Sequence, residues 1–469
     1  MVAWLIRLTT GNLLFHNELF VRLGAILSSA ICTYLIFKIG TLVNNIQTGW
    51  FAALLYTSST YGSLAAGAFI LPDSPQMVFW FSSILFLLKI SRLPVYDSKF
   101  TRLWCLFGIT MGLCIMSKVH GIFIWFGVAA YTIIFNRSWL KYPGIYLSLT
   151  ITIIIASPIL IWNLHNHFAG YEFHSGRISL SGASFRPALF IKGLLAVMLI
   201  INPINFFLIW YGIFRYYKGN FAVDKKVIQL ILFCSLPLIL LLLFVSFFRE
   251  IYPHWPGPAY SCLLLFPAII LSSIYKNKET IFPVIIKAAL TITVILTISD
   301  FIITNYYPGT TSDQKTGLNI GKGDESLNMY GWREAGEKFD SLFKNDVAKG
   351  RMPSYAPIIV TNWFPASHID FYIASITNQQ TVGMGNISDL HQYYFMNDYK
   401  KKLKPGDNAY YLVPSNLFNY KTLDRLNGVF NQYEMPLVID QVRNGSVCKE
   451  FYIFRMKGYK GLPFETNDK

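Results

Sequence analysis

Residues 227–247 read VIQLILFCSLPLILLLLFVSF. None of them is charged, and the run matches the roughly 20 residues with which an α-helix crosses about 30 Å of hydrocarbon. A helix on the surface of a soluble protein keeps one polar face; this one is apolar all round. Nine further runs share its texture, near 20–37, 50–69, 75–90, 103–116, 121–135, 143–162, 194–213, 258–275 and 281–304. The pair 103–116 and 121–135 is short and is read as a tight hairpin. The chain is therefore expected to be a membrane all-α multi-helix bundle of about ten spans.

Composition agrees. Hydrophobic residues make up 53% and charged residues 14%, where a soluble chain carries about 25% charged. Mean hydropathy is +0.41, and 16% aromatics suit belts of Trp and Tyr at the membrane interface. The six cysteines show no paired spacing. Five of them lie in apolar runs, where Cys behaves as a small hydrophobe.

The net charge of +15 is uneven. Residues 1–304 hold 21 Lys/Arg and eight acids; residues 305–469 hold 19 bases and 17 acids. With alternating loops, one side receives 13 bases, from Lys38 to Lys278. The other receives Lys118, Arg177, Arg186, Lys192 and Arg249, or seven with Arg7 and Arg22. The positive-inside rule puts the first side in the cytoplasm. Anionic lipid, not nucleic acid, accounts for the basic excess. Residues 1–19, apolar but broken by Arg7, Asn12, His16 and Asn17, read as an amphipathic segment on the outer interface. Residues 20–304 then form the membrane domain.

After residue 305 the texture changes. TSDQKTGLNIGKGDES reads as a flexible loop. A helix near 331–346 and β-like runs in APIIVTN, QTVGMG, NAYYLVP and VCKEFYIFRM follow. This pattern predicts a small soluble α/β domain over 305–469, outside the cytoplasm by the same parity. Within it TNWFPASHIDFY (Trp363, His368, Asp370) offers either a face for an acceptor or packing.

The polar residues of the outward loops are the candidates for chemistry. Asp73 lies in FILPDSPQ, Lys118 and His120 in SKVHG, Glu172, His174 and Arg177 in YEFHSGRI, and Arg249, Glu250 and His254 in FFREIYPHWPGPAY. Each also has a plain structural explanation. Asp73 can cap the following helix, Lys118 can snorkel, His165, His167 and His174 fit no metal spacing, and Arg249 and Glu250 can form a surface pair. Gathered on one side of a membrane, they point to a cavity for an anionic group such as phosphate.

These motifs carry a family resemblance over most of residues 1–260. MVAWLIRLTTGNLLFHNELFVRLGAILSS, AAGAFILPDSPQMVFW, MGLCIMSKVHGIFIW, IWNLHNHFAGYEFHSGRI and EIYPHWPGPAYSCLL, in that order, resemble bacterial relatives of the protein O-mannosyltransferases. That group includes the aminoarabinose transferases of lipid A. The resemblance implies a GT-C glycosyltransferase in the bacterial cytoplasmic membrane, moving a sugar from a polyprenyl-phosphate donor such as undecaprenyl phosphate to a lipid, glycan or protein acceptor. It implies a catalytic Asp73 and substrate contacts from Lys118, His174 and Arg177; Arg249, Glu250 and His254 are added as candidates from the outer loop. A divalent metal is left open. In this family a further helix and an acidic outer loop lie ahead of the region where this chain starts, so the usual catalytic acid is expected upstream of Met1, a start assigned too late being favoured over truncation. The alternatives are a membrane transporter or lipid flippase, or a truncated non-catalytic homologue.

Overall fold

The computed structural model describes residues 2–10, 17–94, 98–219, 223–276, 280–434 and 437–464. Two compact units divide at Leu296/Thr297.

The first unit is helical throughout. Its elements are α1 (Val2–Thr10), α2 (Glu18–Val43), α3 (Ile46–Thr57), α4 (Asp73–Arg92), α5 (Ser98–Ser117), α6 (Ile122–Phe135), α7 (Pro143–His165), α8 (Ala169–Ile178), α9 (Pro187–Ile201), α10 (Pro203–Tyr217), α11 (Lys225–Val245), α12 (Gly257–Leu263), α13 (Leu265–Ile274) and α14 (Val284–Tyr306). Among the described residues seven helices are long and apolar enough to cross a membrane, eight if the bent α9–α10 pair is one span. All ten apolar runs are helical, but three depart from a long straight span. The run at 50–69 is the 12-residue α3 followed by a π turn at Tyr61–Ala65. The run at 121–135 is a 14-residue helix. The run at 194–213 is bent by 99° at Asn202. Of the N-terminal segment, residues 11–16 lie outside the described residues; 2–10 form α1, whose Leu5 packs on Gly24 of α2.

The broken helices explain themselves. In hydrocarbon every freed backbone group needs a protein partner. Asn202, at φ 78°, gives its buried amide to the carbonyls of Ser58 (3.1 Å) and Ala289 (2.8 Å) and to Thr293 Oγ1 (3.0 Å). Its oxygen accepts from the N–H of Ile204 at the start of α10. Asn205 donates to the carbonyl of Leu55 at 2.9 Å, and Thr293 Oγ1 donates to that of Ser58. The end of α3 and the break between α9 and α10 thus satisfy each other, with α14 as the third party. Close packing elsewhere uses small residues, as membrane helices do: a Cβ on Gly40 of α2 would stand 2.8 Å from the Cα of Gly49 in α3.

The second unit carries a mixed sheet, β1 (Ile358–Val360), β2 (Thr381–Gly383), β3 (Ala409–Pro414), β4 (Phe430–Tyr433), β5 (Leu437–Arg443) and β6 (Ser446–Tyr459). Its order is β2-β1-β3-β6-β4, with β5 also on β6. The pairs β1–β2 and β1–β3 are parallel; those to β6 are antiparallel. The four expected strands and the helix α15 (Trp332–Ala348) are present. Apolar side chains from alternate positions, Tyr410 and Leu412 on one face and Tyr411 and Val413 on the other, build a core on each side. Beneath the sheet Asp346 of α15 takes a forked pair from Arg455 (2.6 and 3.0 Å) and a hydroxyl from Tyr410 (2.9 Å).

The expected flexible loop after residue 305 is instead pinned. The Asp324 carboxylate accepts from Thr310 Oγ1 (2.8 Å), the Thr311 N–H (2.8 Å) and the Ser326 N–H (3.0 Å), and pairs with buried Arg443 at 3.3 Å. Glycine-rich composition alone does not reveal such a central acceptor. Burial pushes the Asp324 carboxyl up, but the hydrogen bonds from Ser326, Thr311 and Thr310 outweigh it and hold its pKa at about 2. A carboxyl depressed below its unfolded value of about 3.9 stabilises the fold above that pH and ceases to as pH falls toward 2. The Asp324→Asn chain is expected to melt below wild type at pH 7, by the equivalent of about 2 kcal/mol, and the gap to close between pH 4 and pH 2. Thermal melts of the whole chain in detergent across that range check it; a gap independent of pH overturns it.

Candidate active site

Asp73 opens α4, and Pro72, not Asp73, is the cap residue. The carboxylate caps nothing. It is fully buried and accepts two hydrogen bonds from Lys118 Nζ, at 3.1 Å on one oxygen and 3.0 Å on the other. Tyr61 Oη donates to it at 3.0 Å. Three partly positive groups converge on it: an ammonium, a phenol and the N-terminus of α4, whose dipole favours an anion. Lys118 does not snorkel. Its side chain is 14% exposed, and burial pulls its pKa down while Asp73 pushes back.

Local sequence puts these groups there. The π turn at Tyr61–Ala65 follows α3 and directs Tyr61 inward; Ser29 of α2 donates to the carbonyl of Gly62 within it at 3.0 Å. Lys118 sits in the extended residue between α5 and a 3₁₀ turn at Val119–Gly121. Across from them, Gly257 starts α12. A Cβ there would stand 2.3 Å from the Tyr61 ring, so the glycine of PHWPGPAY makes room for the phenol.

The loops after α5, α7 and α11 bring three histidines into electrostatic reach of this pair. The His120 ring packs on Trp255 at 5.5 Å. Burial, then the charge of Lys118, lower His254 to about 4, so it is neutral at physiological pH. Burial, then Arg177 and Lys118, lower His174 as well. The Arg177 guanidinium stacks over Phe173 at 4.2 Å and Tyr252 at 5.6 Å, and Tyr252 contacts the rings of His254 and Trp255. One turn along α4 from Asp73, the buried amide of Gln76 has no hydrogen-bond partner among the described residues.

Asp73, Lys118, His174, Arg177 and His254 are therefore linked, directly or through aromatic rings and charge. Arg249 and Glu250 are engaged elsewhere. Arg249 donates to the carbonyls of Ser179 (3.0 Å) and Ser181 (3.2 Å), tying the loop after α8 to the one after α11. Glu250 pairs with Lys192 at 2.6 Å, both side chains two-thirds exposed, a contact of little energetic worth. Tyr61 and Gln76 escaped the sequence reading because they lie inside or beside apolar runs; SKVHG did flag His120. Among the described residues no group of three His, Cys, Asp or Glu is placed to hold a metal ion.

Chemically, a buried acid locked to a largely buried lysine is a poor stabilising device, because desolvation cancels most of the attraction, and groups so perturbed cluster at functional sites.

Residues 1–162 match the family model described as dolichyl-phosphate-mannose-protein mannosyltransferase. The fold is similar to that of ArnT from Cupriavidus metallidurans in two crystal structures. The one bound to undecaprenyl phosphate is 13% identical with a TM-score of 0.57, over 97% of this chain and 87% of that one. The apo one is 12% identical with a TM-score of 0.58, over 96% and 86%. No curated protein matches the chain in sequence. The family model thus covers residues 1–162 only, and the two structures show a shared fold across nearly the whole chain.

The Gly257→Ala chain is expected to displace Tyr61 from Asp73 and to lower the melting temperature, since a methyl at that point overlaps the ring. Tyr61→Phe, which keeps the ring, is expected to melt near wild type. Equal losses in both would mean the hydrogen bond, not the packing, is what Gly257 protects.

Proposed function

We propose that the chain transfers a sugar from a polyprenyl-phosphate-linked donor to a hydroxyl of a lipid, glycan or protein acceptor at the outer face of the cytoplasmic membrane. The observation that carries this reading is the buried Asp73–Lys118 pair at the helix ends, with Arg177 and two neutral-leaning histidines around it. Sugar transfer from a phosphate needs a base for the acceptor and cations for the leaving group. Asp73 takes the hydroxyl proton as the acceptor oxygen bonds to the anomeric carbon. The bond from that carbon to the phosphate oxygen breaks, and the charge left on the polyprenyl phosphate meets Lys118 and Arg177.

Two further features support it. An apolar groove of about 610 Å³ is lined by Ile115 and Ile122, on either side of Lys118 in sequence, and continues along Phe126, Ile133, Leu149 and Ile153. It suits a polyprenyl tail whose phosphate reaches Lys118. The 13-to-seven bias in basic residues supports an outward-facing site. The undecaprenyl phosphate bound in the ArnT structure is a donor fragment of the right class.

In membranes carrying the chain, transfer of label from a polyprenyl-phosphate sugar is expected, with Asp73→Asn and Lys118→Gln each reducing the rate by about a hundredfold or more. Because removing one partner of a buried pair also destabilises, by about 3–5 kcal/mol, the Asp73→Asn, Lys118→Gln double variant serves as a control. It is expected to fold better than either single variant while remaining inactive. Full activity in Asp73→Asn removes that residue from the mechanism.

A further inference from the structure

In the second unit the parallel strands β1 and β2 end together, and β3 runs on past them. The order β2-β1-β3 means that the chain leaves β1 for one flank and later returns to the other. At such a reversal the connecting loops part, and a crevice opens at the carboxyl ends of the strands, where α/β sheets hold their ligands. Here Thr361 and Asn362 follow β1, Met384 and Gly385 follow β2, and Tyr411 and Val413 belong to β3. They line a cavity of about 460 Å³, within the range of small-molecule sites.

Its walls carry complementary chemistry. The helix Tyr420–Val429 presents Lys421 and Arg425, one turn apart on one face. Neither is ion-paired among the described residues, whereas the buried arginines of the unit, Arg443 and Arg455, are. Asp389 contributes a carboxylate and Thr422 a hydroxyl. Phe364 and Tyr411 add aromatic surface. Cations that meet no protein acid suit an anionic group. A carboxylate acceptor beside aromatic rings suits the hydroxyls and the apolar face of a sugar.

The TNWFPASHIDFY motif divides across this feature. Asn362 and Phe364 border the cavity. His368 stacks on Trp332 at 4.8 Å, and Asp370 accepts from Thr381 Oγ1 at 2.7 Å, so these two serve packing.

We propose that this crevice is a second ligand site, taking a saccharide of one or two rings that bears phosphate or carboxylate. It stands in a different unit from the transfer site and does not depend on that reading.

The test is calorimetric titration of the whole chain in detergent with glucose 6-phosphate, glucuronate, glucose and inorganic phosphate. Both anionic sugars are expected to bind, with glucose and inorganic phosphate each weaker by about tenfold or more. The Lys421→Ala, Arg425→Ala double variant is expected to lose about tenfold for the anionic sugars. Asp389→Asn should weaken glucose and glucose 6-phosphate alike, and Asp73→Asn should leave all four unchanged. Lys421 is exposed, and an unshifted melting temperature shows that the double variant folds. If that variant melts early, Lys421→Ala alone replaces it, with a smaller loss in the same direction. The proposal is overturned by no binding of either anionic sugar at about 10 mM, by unchanged binding in the Lys421, Arg425 and Asp389 variants, by inorganic phosphate binding as tightly as the sugar phosphate, or by loss of binding in an Asp73→Asn chain whose melting shows it folded.

Discussion

Two opposite charges stripped of water must be held by geometry, because desolvation consumes most of what their attraction offers. The Asp73–Lys118 pair imposes that constraint on the first unit. Asp73 is placed by the proline that opens α4, Lys118 by the extended residue where α5 gives way to a 3₁₀ turn, and Tyr61 by a π turn that a regular helix would not supply. Each is a departure from regular helix, and each lies at an end of the hydrocarbon-facing elements. Irregular backbone in such a protein is tolerated where it lines a cavity or is buried in protein. The site and the irregularities thus coincide because the same places permit both.

Around the pair, ionisation is arranged by burial more than by partners. For His174 the charges are those of Arg177 and Lys118, and for His254 burial and Lys118 outweigh the pull of Asp73. A neutral imidazole beside a lysine is a hydrogen-bond donor and acceptor that adds no charge. The region therefore keeps its cationic character on Lys118 and Arg177, the two groups able to meet a phosphate without losing a proton. The loop after α11 is tied to the loop after α8 through Arg249, which donates to the carbonyls of Ser179 and Ser181.

How far the sequence could be read follows from distance along the chain. The apolar runs were legible because hydrophobicity is a local property, and Asp73, Lys118 and Arg177 because charges stand out in such runs. The break at Asn202 was not: one Asn in an apolar run looks like a defect until its partners at 58 and 289 are known. Tyr61 was hidden for the same reason. In the second unit the strands with long apolar texture were visible. β4 and β5 were missed because FNQY and LVIDQVR mix polar and apolar residues and pair only with β6. The loop at 311–326 reads as flexible because its order comes from one acid, Asp324, whose role is set by hydrogen bonds and not by composition.

The amide of Asn202 has a consequence in time as well as in space. Its partners on α14 are 87 and 91 residues downstream, so while the ribosome is still working through α11 to α13 those carbonyl and hydroxyl groups do not yet exist. Until α14 is delivered, the sharp turn at Asn202 lacks two of its three amide acceptors, while Pro203, with no N–H to give, still bars a regular helix across 187–217. Proline thus dictates that the chain breaks here, and the arrival of α14 supplies two of the three acceptors that fix the direction of the break.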